Sequence, residues 1–190
     1  MEQFIKTVNS FCALTAPEQE MVCSALTRKK INKNDFFVTE GKPASQLAYI
    51  EAGVMRKFQV TEEGEEITSE FSGPGVFCGA YYGFYMQQPS FEYIQALTDC
   101  EILTLSYHDL QQLYKTSFHF NVFGRRFIEQ SCIQKELRSR KIISLPARER
   151  YEWFIDEFPE INKVAQVQHI ASFLGMNPET LSRIRRKFIS

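Results

Sequence analysis

Hydrophobic positions along the chain change their spacing twice, and these changes mark its main parts. Residues 1–27 carry apolar side chains such as Phe4, Val8 and Phe11 at the spacing of one helix face. Over residues 28–105, apolar positions alternate with polar ones or form short runs of β-forming residues between glycine-containing turns. Short strands that follow one another so closely predict an antiparallel β-barrel or β-roll.

Helical spacing returns after this β region, first in a short helix and then in a long one from about Phe118 to Ile143. The segment Ser144-Leu-Pro146 ends the long helix, because proline cannot continue the hydrogen bonding of a helix interior. A further helix is predicted over about Ala147–Phe158, and Pro159 is expected to end it.

The long helix carries a candidate dimer seam, whose positions are spaced alternately by three and four residues as in a coiled coil. The seam consists of Phe120, Phe123, Phe127, Gln130, Gln134 and Leu137. We favour the interpretation that two copies of the chain pair through this seam as a homodimer. The alternative is that the helix packs only on its own barrel.

The most specific pattern lies in residues 164–188, which predict two short helices joined by a tight turn. Gly175 suits the left-handed conformation that ends a helix. Asn177 offers a side-chain oxygen as N-cap, and Pro178 suits the first helical position, which needs no N–H. The second helix has an apolar stripe at Leu181, Ile184 and Phe188, with Glu179, Ser182, Arg183, Arg186 and Lys187 facing outward. This is the helix-turn-helix pattern, whose second helix enters the major groove of DNA.

The charge distribution agrees with a polyanionic partner at the C-terminal end. The net charge is only −1, but it is unevenly divided. Residues 125–190 contain 13 Lys and Arg against 8 Asp and Glu, whereas residues 1–124 contain 9 against 15. A basic C-terminal third on an acidic body suits binding to nucleic acid.

Several other classes of protein are not supported. No apolar stretch approaches the ~20 residues of a membrane span, and the first residues do not resemble a secretion signal, so we expect a cytoplasmic protein without membrane contact. The five cysteines are dispersed, which suggests reduced thiols. No histidine lies within residues 28–105, which argues against a metal-dependent barrel enzyme. We therefore expect no catalytic residues, no metal and no cofactor.

The order of a β-roll, a long helix and a helix-turn-helix resembles the cyclic-AMP receptor protein/FNR (Crp/Fnr) superfamily of bacterial transcription regulators. The segments that carry the resemblance are Tyr49-Ile-Glu-Ala-Gly53, Thr61-Glu-Glu-Gly-Glu-Glu66, Gly73-Pro-Gly75-Val-Phe-Cys-Gly79, Cys100-Glu-Ile-Leu and Ile170-Ala-Ser-Phe-Leu-Gly-Met-Asn-Pro-Glu-Thr-Leu-Ser-Arg-Ile-Arg186. They extend over nearly the whole chain, and the last is the most specific.

The resemblance implies an α+β fold in three parts. Residues 1–117 would form an antiparallel, jelly-roll sensor domain of the cyclic-nucleotide-binding type, with flanking helices. Residues 118–144 would form a connecting and dimerisation helix, and residues 145–190 a DNA-binding domain. The implied function is that of a dimeric transcription regulator that reads a palindromic operator in double-stranded DNA through the helix at 178–188. RNA polymerase is a further partner that the family suggests.

The family also implies which side chains read DNA. A Glu and an Arg of its recognition helix contact base edges, and they match Glu179 and Arg183, which are one turn apart on the face opposite the apolar stripe. Arginine binds guanine O6 and N7, and glutamate accepts from cytosine N4. The candidates for phosphate or flanking contacts are Gln166, His169, Asn177, Thr180, Ser182, Arg185, Arg186 and Lys187.

The chain departs from the family at the cyclic-nucleotide pocket. There the family has Gly-Glu, which holds the ribose, and further on an Arg that neutralises the cyclic phosphate. Here Gly79 is followed by Ala80, and no Lys or Arg lies between Lys57 and Lys115. A buried phosphate without a cationic partner is costly, so we expect that cyclic nucleotides do not bind.

Aromatic residues stand where the charged pocket residues would be. They either fill the former pocket, which we favour, or line a site for an apolar or planar effector of unknown identity. The candidate sensor pocket comprises Gly79, Ala80, Tyr81, Tyr82, Phe91 and Tyr93.

The second departure is at the end of the chain, where two residues follow Phe188 and the segment 159–164 is short. We expect truncated wing hairpins, so that DNA contact depends on the recognition helix. The alternative function is a ligand-binding regulatory module whose helix-turn-helix docks a protein partner rather than DNA.

Overall fold

The computed structural model of the chain describes residues 1–189, which fold into a β-roll flanked by helices. Helix α1 (Glu2–Phe11) and helix α2 (Ala16–Ala25) precede the strands. Helix α2 begins with a capping box, in which Glu18 accepts from the backbone N–H of Thr15 at 2.9 Å. The strands and the one helix among them are β1 (Thr27–Ile31), β2 (Phe36–Val38), β3 (Gln46–Ala52), β4 (Met55–Val60), β5 (Glu66–Ser72), β6 (Phe77–Cys78), α3 (Tyr81–Met86), β7 (Tyr93–Ala96) and β8 (Cys100–Ser106).

The strands form two four-stranded antiparallel sheets, in the orders β1-β8-β3-β6 and β2-β7-β4-β5. Between them lies an apolar core that includes the fully buried side chains of Ile50, Met55, Ile94 and Ile102. Burial alternates along β7, as the period-two pattern requires, whereas β3, β4 and β8 are buried at consecutive positions. The predicted antiparallel roll is therefore confirmed.

Four elements were not foreseen in the sequence. Strand β1 reads Thr-Arg-Lys-Lys-Ile and is largely exposed, yet it pairs with β8 along its whole length. Strand β6 has only two residues, and α3 is built from an aromatic run without helical periodicity. Helix α7 (Pro159–Val164) begins at Pro159, the residue that was expected to end the preceding helix, which does end before it at Glu157. Pro159 occupies the first helical position, where no N–H is needed.

The roll is followed by α4 (Tyr107–Thr116) and by the long helix α5 (Phe118–Ser144). Ser106 caps α4 and Ser117 caps α5, each hydroxyl accepting a backbone N–H of the first turn. Gly124 lets α5 approach α4 closely, because a Cβ there would collide with the phenol of Tyr114. Among the helices of residues 1–189, none is long and apolar enough to cross a membrane.

The first half of α5 packs on its own roll, which corrects part of the predicted dimer seam. Phe120 and Phe123 are buried in a core with Phe4, Leu103 and Leu113. Side chains already buried within one chain cannot also face a second copy. Of the six predicted seam positions, Phe127 is partly buried against the same core, whereas Gln130, Gln134 and Leu137 remain exposed.

The C-terminal helices are α6 (Ala147–Glu157), α7, α8 (Val167–Phe173) and α9 (Pro178–Ile189). Their core contains the fully buried Phe154, Ile170 and Leu181, and it continues into the roll through Phe71 of β5. Helix α8 packs along β5. On the neighbouring strand β4, residues 55–58 are buried, including the charged Arg56 and Lys57.

Candidate nucleic-acid interface and sensor pocket

The turn between α8 and α9 has the predicted geometry. Gly175 has φ +62°, in the left-handed region that favours glycine. The N–H of Met176 donates to the carbonyl of Ala171 at 3.0 Å, which closes the end of α8. Asn177 accepts the N–H of Thr180 at 2.8 Å and therefore caps α9. The cap uses the side-chain oxygen of Asn177 and fixes the start of α9.

Arg150 of α6 holds this turn, and sequence reasoning missed it. Its Nη1 donates to the carbonyl of Leu174 at 2.6 Å and to that of Gly175 at 3.1 Å. A cation at the C-terminal end of α8 satisfies carbonyls that lack helical partners and complements the helix dipole. The sequence shows Arg150 only as one arginine of a predicted helix. The turn that it contacts follows 25 residues later, so no local sequence pattern connects the two.

The outward face of α9 presents the predicted DNA-reading side chains. Leu181 is buried beneath the helix, whereas Glu179 and Arg183 are exposed on its opposite side. Within residues 1–189, none of the charged side chains of α9 takes part in an ion pair. The remaining polar candidates on this helix are Thr180, Ser182 and Arg185, which are partly exposed, and Arg186 and Lys187, which are exposed. This face is available to an external polyanion.

On α8 the structure separates two of the predicted contacts. Gln166 is exposed at the start of the helix. His169 is only 6 % exposed and faces the roll, with Nε2 3.8 Å from Glu66. Burial, together with the nearby Arg56 guanidinium, lowers the pKa of His169 to about 4, so the ring is neutral at pH 7. The expectation that His169 contacts DNA phosphate is therefore wrong for this arrangement of the chain.

Polar contacts hold α8 along the edge strand β5. The N–H of Thr68 donates to the hydroxyl of Ser172 at 2.9 Å, and that hydroxyl donates to the carbonyl of Glu66 at 3.0 Å. Arg138 of α5 donates to the carbonyls of Ser69 and Phe173, both at 2.9 Å. The exposed N–H and C=O groups of a sheet edge need partners, and here the C-terminal helices supply them.

The position expected for a cyclic nucleotide contains a lysine of the chain itself. Lys57 is 4 % exposed, and its Nζ lies 3.3 Å from the carbonyl of Gly79 and 2.8 Å from Glu70. Burial by itself would lower the pKa of Lys57, but the carboxylates of Glu70 and Glu92 outweigh it and raise the pKa. Burial raises the pKa of Glu92. We call Lys57, Glu70 and Glu92 the Lys57 cluster.

The six predicted pocket residues do not all come together. Gly79 and Ala80 are buried, and the ring of Tyr81 lies 4.9 Å from Lys57 Nζ. The other three residues lie elsewhere. Tyr82 and Phe91 are exposed, with ring centroids 5.1 Å apart, and Tyr93 stacks on Phe58 at 5.1 Å on the outer sheet face. Successive residues of α3 point about 100° apart, which separates Tyr82 from Tyr81. Within the described residues, no group of three or more His, Cys, Asp or Glu is placed to hold a metal ion.

Comparison with known sequences agrees with this geometry. Residues 28–117 match the cyclic nucleotide-binding domain family. The CRP-like protein Clp of Xanthomonas campestris pv. campestris is 31 % identical over 91 residues, which are 47 % of this chain and 39 % of that protein. The same match is found in Clp of Xanthomonas oryzae pv. oryzae. The matched segment thus covers well under half of these relatives.

Solved structures share the fold over most of the chain. Clp of Xanthomonas campestris, described as a c-di-GMP responsive global regulator, has a TM-score of 0.69 and 18 % identity, covering 92 % of this chain and 91 % of that one. FixK2 of Bradyrhizobium japonicum has a TM-score of 0.73 and 17 % identity, covering 86 % and 84 %. The catabolite activator protein of Thermus thermophilus has a TM-score of 0.54 and 19 % identity, covering 96 % and 86 %. At such identities the likeness establishes the fold.

Proposed function

We propose that this chain, which belongs to the Crp/Fnr superfamily of transcription regulators, binds double-stranded DNA as a homodimer. The observation that carries the proposal is the exposed, unpaired charge on α9, the second helix of a capped helix-turn-helix. In this motif the second helix lies in the major groove, with its N-terminal residues at the base edges. Named functions of the relatives, such as global regulation by Clp, support a regulatory role.

We assign base reading to Glu179 and Arg183. Glu179 lies in the first turn of α9, and Arg183 lies one turn later on the same side. Arg185, Arg186 and Lys187 follow at the C-terminal end of the helix, where phosphates are the nearer partners. Two such helices in a symmetric dimer would occupy successive major grooves roughly 34 Å apart, so the operator would be a two-fold palindrome.

We place the dimer contact on the second half of α5 rather than at Phe120 and Phe123. Ile133 is 58 % exposed and Leu137 is 44 % exposed, and they lie one turn apart on the helix. Large apolar side chains on a long helix favour pairing with a second helix. Light scattering should give twice the chain mass of 22.1 kDa at micromolar concentration. Leu137→Glu should shift the mass toward one chain, whereas Ser144→Glu, near the end of α5, should not.

We further propose that the roll does not bind cyclic AMP or cyclic GMP tightly. Lys57 carries the cationic charge nearest Gly79, and it is already paired with Glu70. A cyclic phosphate would have to displace this carboxylate inside the roll, and it would also meet the nearby carboxylate of Glu92. Calorimetry showing submicromolar affinity for either nucleotide would overturn this part of the proposal.

The test of DNA reading begins with selecting bound sequences from random DNA, which defines the operator. Arg183→Ala should then cost about 1–3 kcal/mol on the operator and relax the preference at one base pair per half-site. Arg186→Ala should weaken binding to all sequences alike and reduce the salt slope by about one unit. Lys115→Ala, on α4 and away from α9, is the matched control and should change neither quantity.

Gel shifts on the operator and on a scrambled duplex at two salt concentrations separate these effects. An unchanged ratio of operator to scrambled affinity in Arg183→Ala would show that the assigned reading face is wrong. If no duplex binds in a salt-dependent way, the helix-turn-helix docks a protein instead, which is the second candidate function.

A further inference from the structure

An open groove of about 450 Å³ lies between the β-roll, α5 and the C-terminal helices. Tyr81 of the candidate sensor pocket lines it, whereas Gly79 and Ala80 do not. Its walls are mainly apolar and aromatic, with Phe71, Phe127, Trp153 and Phe173 among the lining residues. Small-molecule sites typically have volumes of about 300–1,000 Å³ with mostly apolar walls, and this groove fits that description.

One wall of the groove carries a row of three cations, Lys135, Arg138 and Lys141. Their spacing along α5 places them within about a third of the helix circumference, with Arg138 in the middle. Each cation lies over an aromatic ring. The distances to the ring centroids are 5.0 Å from Lys135 to Tyr81, 4.0 Å from Arg138 to Phe173, and 4.5 Å from Lys141 to Trp153.

The two lysines differ from Arg138 in their partners. Arg138 is engaged with the carbonyls that join α5 to the roll and to α8. Lys135 and Lys141 have no carboxylate within ion-pair distance anywhere in residues 1–189. Two carboxylates line the groove, but Glu70 is paired with Lys57, and Glu157 is exposed at the end of α6. The groove therefore combines an apolar floor with unpaired positive charge at one wall.

We propose that this groove binds an amphipathic carboxylate, a small acid with a long alkyl or aromatic body. Its head pairs with Lys135 and Lys141, whose flexible side chains flank Arg138, and its body lies against Trp153 and Phe127. Charge complementarity selects the anion, because a cationic head would meet three positive charges on this wall. The apolar floor selects a body that water solvates poorly.

Trp153 makes the proposal directly measurable, because it is the only tryptophan of the chain and lines the groove. Titration with decanoate should change the emission of Trp153 to saturation. Lys135→Met/Lys141→Met removes both charges, keeps the apolar stems, and should weaken decanoate binding about tenfold or more. Lys135→Arg/Lys141→Arg retains the charges and should retain the binding. Lys115→Met, outside the groove, is the matched control and should behave as the unaltered chain.

Decylamine has the same alkyl body with the opposite charge, and it should produce no saturable change. Equal binding of decylamine, undiminished decanoate binding in the double methionine variant, or an unresponsive Trp153 would each overturn the proposal. Leu137, which we assign to the dimer contact, also lines the groove, so the partner would border it. A partner that instead fills the groove would make the decanoate response per chain decline as protein concentration rises, and that result would also overturn the proposal. The titration contains no DNA, so its outcome is independent of the proposed operator binding.

Discussion

Replacing Lys57 with methionine removes the only cation of the Lys57 cluster while keeping a side chain of similar length. Glu70 then loses its ion-pair partner at 2.8 Å, and its repulsion with the nearby carboxylate of Glu92 is no longer offset by Lys57. Breaking a fully buried pair in this way costs about 3–5 kcal/mol. Glu70 retains 22 % exposure, so water compensates part of the loss, and we expect about 2–4 kcal/mol at pH 7. That is a large share of the ~5–15 kcal/mol by which most domains are stable.

The pH dependence follows from the direction of the pKa shifts. The pKa of Lys57 is raised in the folded chain, so its contribution is fully present below its ordinary value of 10.5 and is lost only as pH rises above it. The pKa of Glu92 is also raised, so protonation of Glu92 favours the folded state as pH falls toward 4.5. In Lys57→Met, protonation of Glu92 relieves more repulsion between Glu92 and Glu70 than it does in the unaltered chain. The difference in stability between the unaltered chain and Lys57→Met should therefore narrow between pH 7 and pH 4.5.

Urea unfolding followed by circular dichroism measures these differences without the screening that guanidinium chloride would add. The double variant Lys57→Met/Glu70→Gln removes both charges and should recover most of the stability lost in the single variant. Lys30→Met, which removes an exposed lysine paired with Glu101, is the control and should cost at most about 1 kcal/mol. A single variant within about 0.5 kcal/mol of the unaltered chain, or a double variant no more stable than the single one, would refute the reasoning.

Three further predictions concern packing. Arg138→Met should cost about 2–4 kcal/mol in urea unfolding and expose α8 to limited proteolysis, because two carbonyls between the roll and α8 lose a charged donor. Asn177→Ala should lower stability by about 1 kcal/mol in thermal unfolding, since α9 loses its cap. Gly124→Ala should cost about 1–3 kcal/mol by forcing Tyr114 aside, whereas Gly73→Ala, in open space, should be nearly neutral; equal effects would contradict the close approach of α5 and α4.

Elements whose signals are local could be predicted from the sequence. The turn at Gly175 and the cap at Asn177 involve residues a few positions apart, so their geometry is determined by the local sequence. The long helix spans Phe118–Ser144, close to its predicted range, because a helix is held by bonds within its own segment. The antiparallel roll followed from strand spacing and glycine turns, although the charged β1 and the two-residue β6 carried too little pattern to be found.

Which face of an element is covered was decided by the tertiary structure. Phe120 and Phe123 had the spacing of a dimer seam, but the roll beneath α5 buries them within one chain. Lys57 is buried on β4, and the neighbouring strand β5 is covered by α8, a docking that joins residues about a hundred positions apart. His169 turns toward Glu66 for the same reason. The periodicity of a segment indicates which of its faces is apolar or charged. Which other segment packs against that face depends on the burial and pairing of residues that are distant in the sequence, summed over the whole chain.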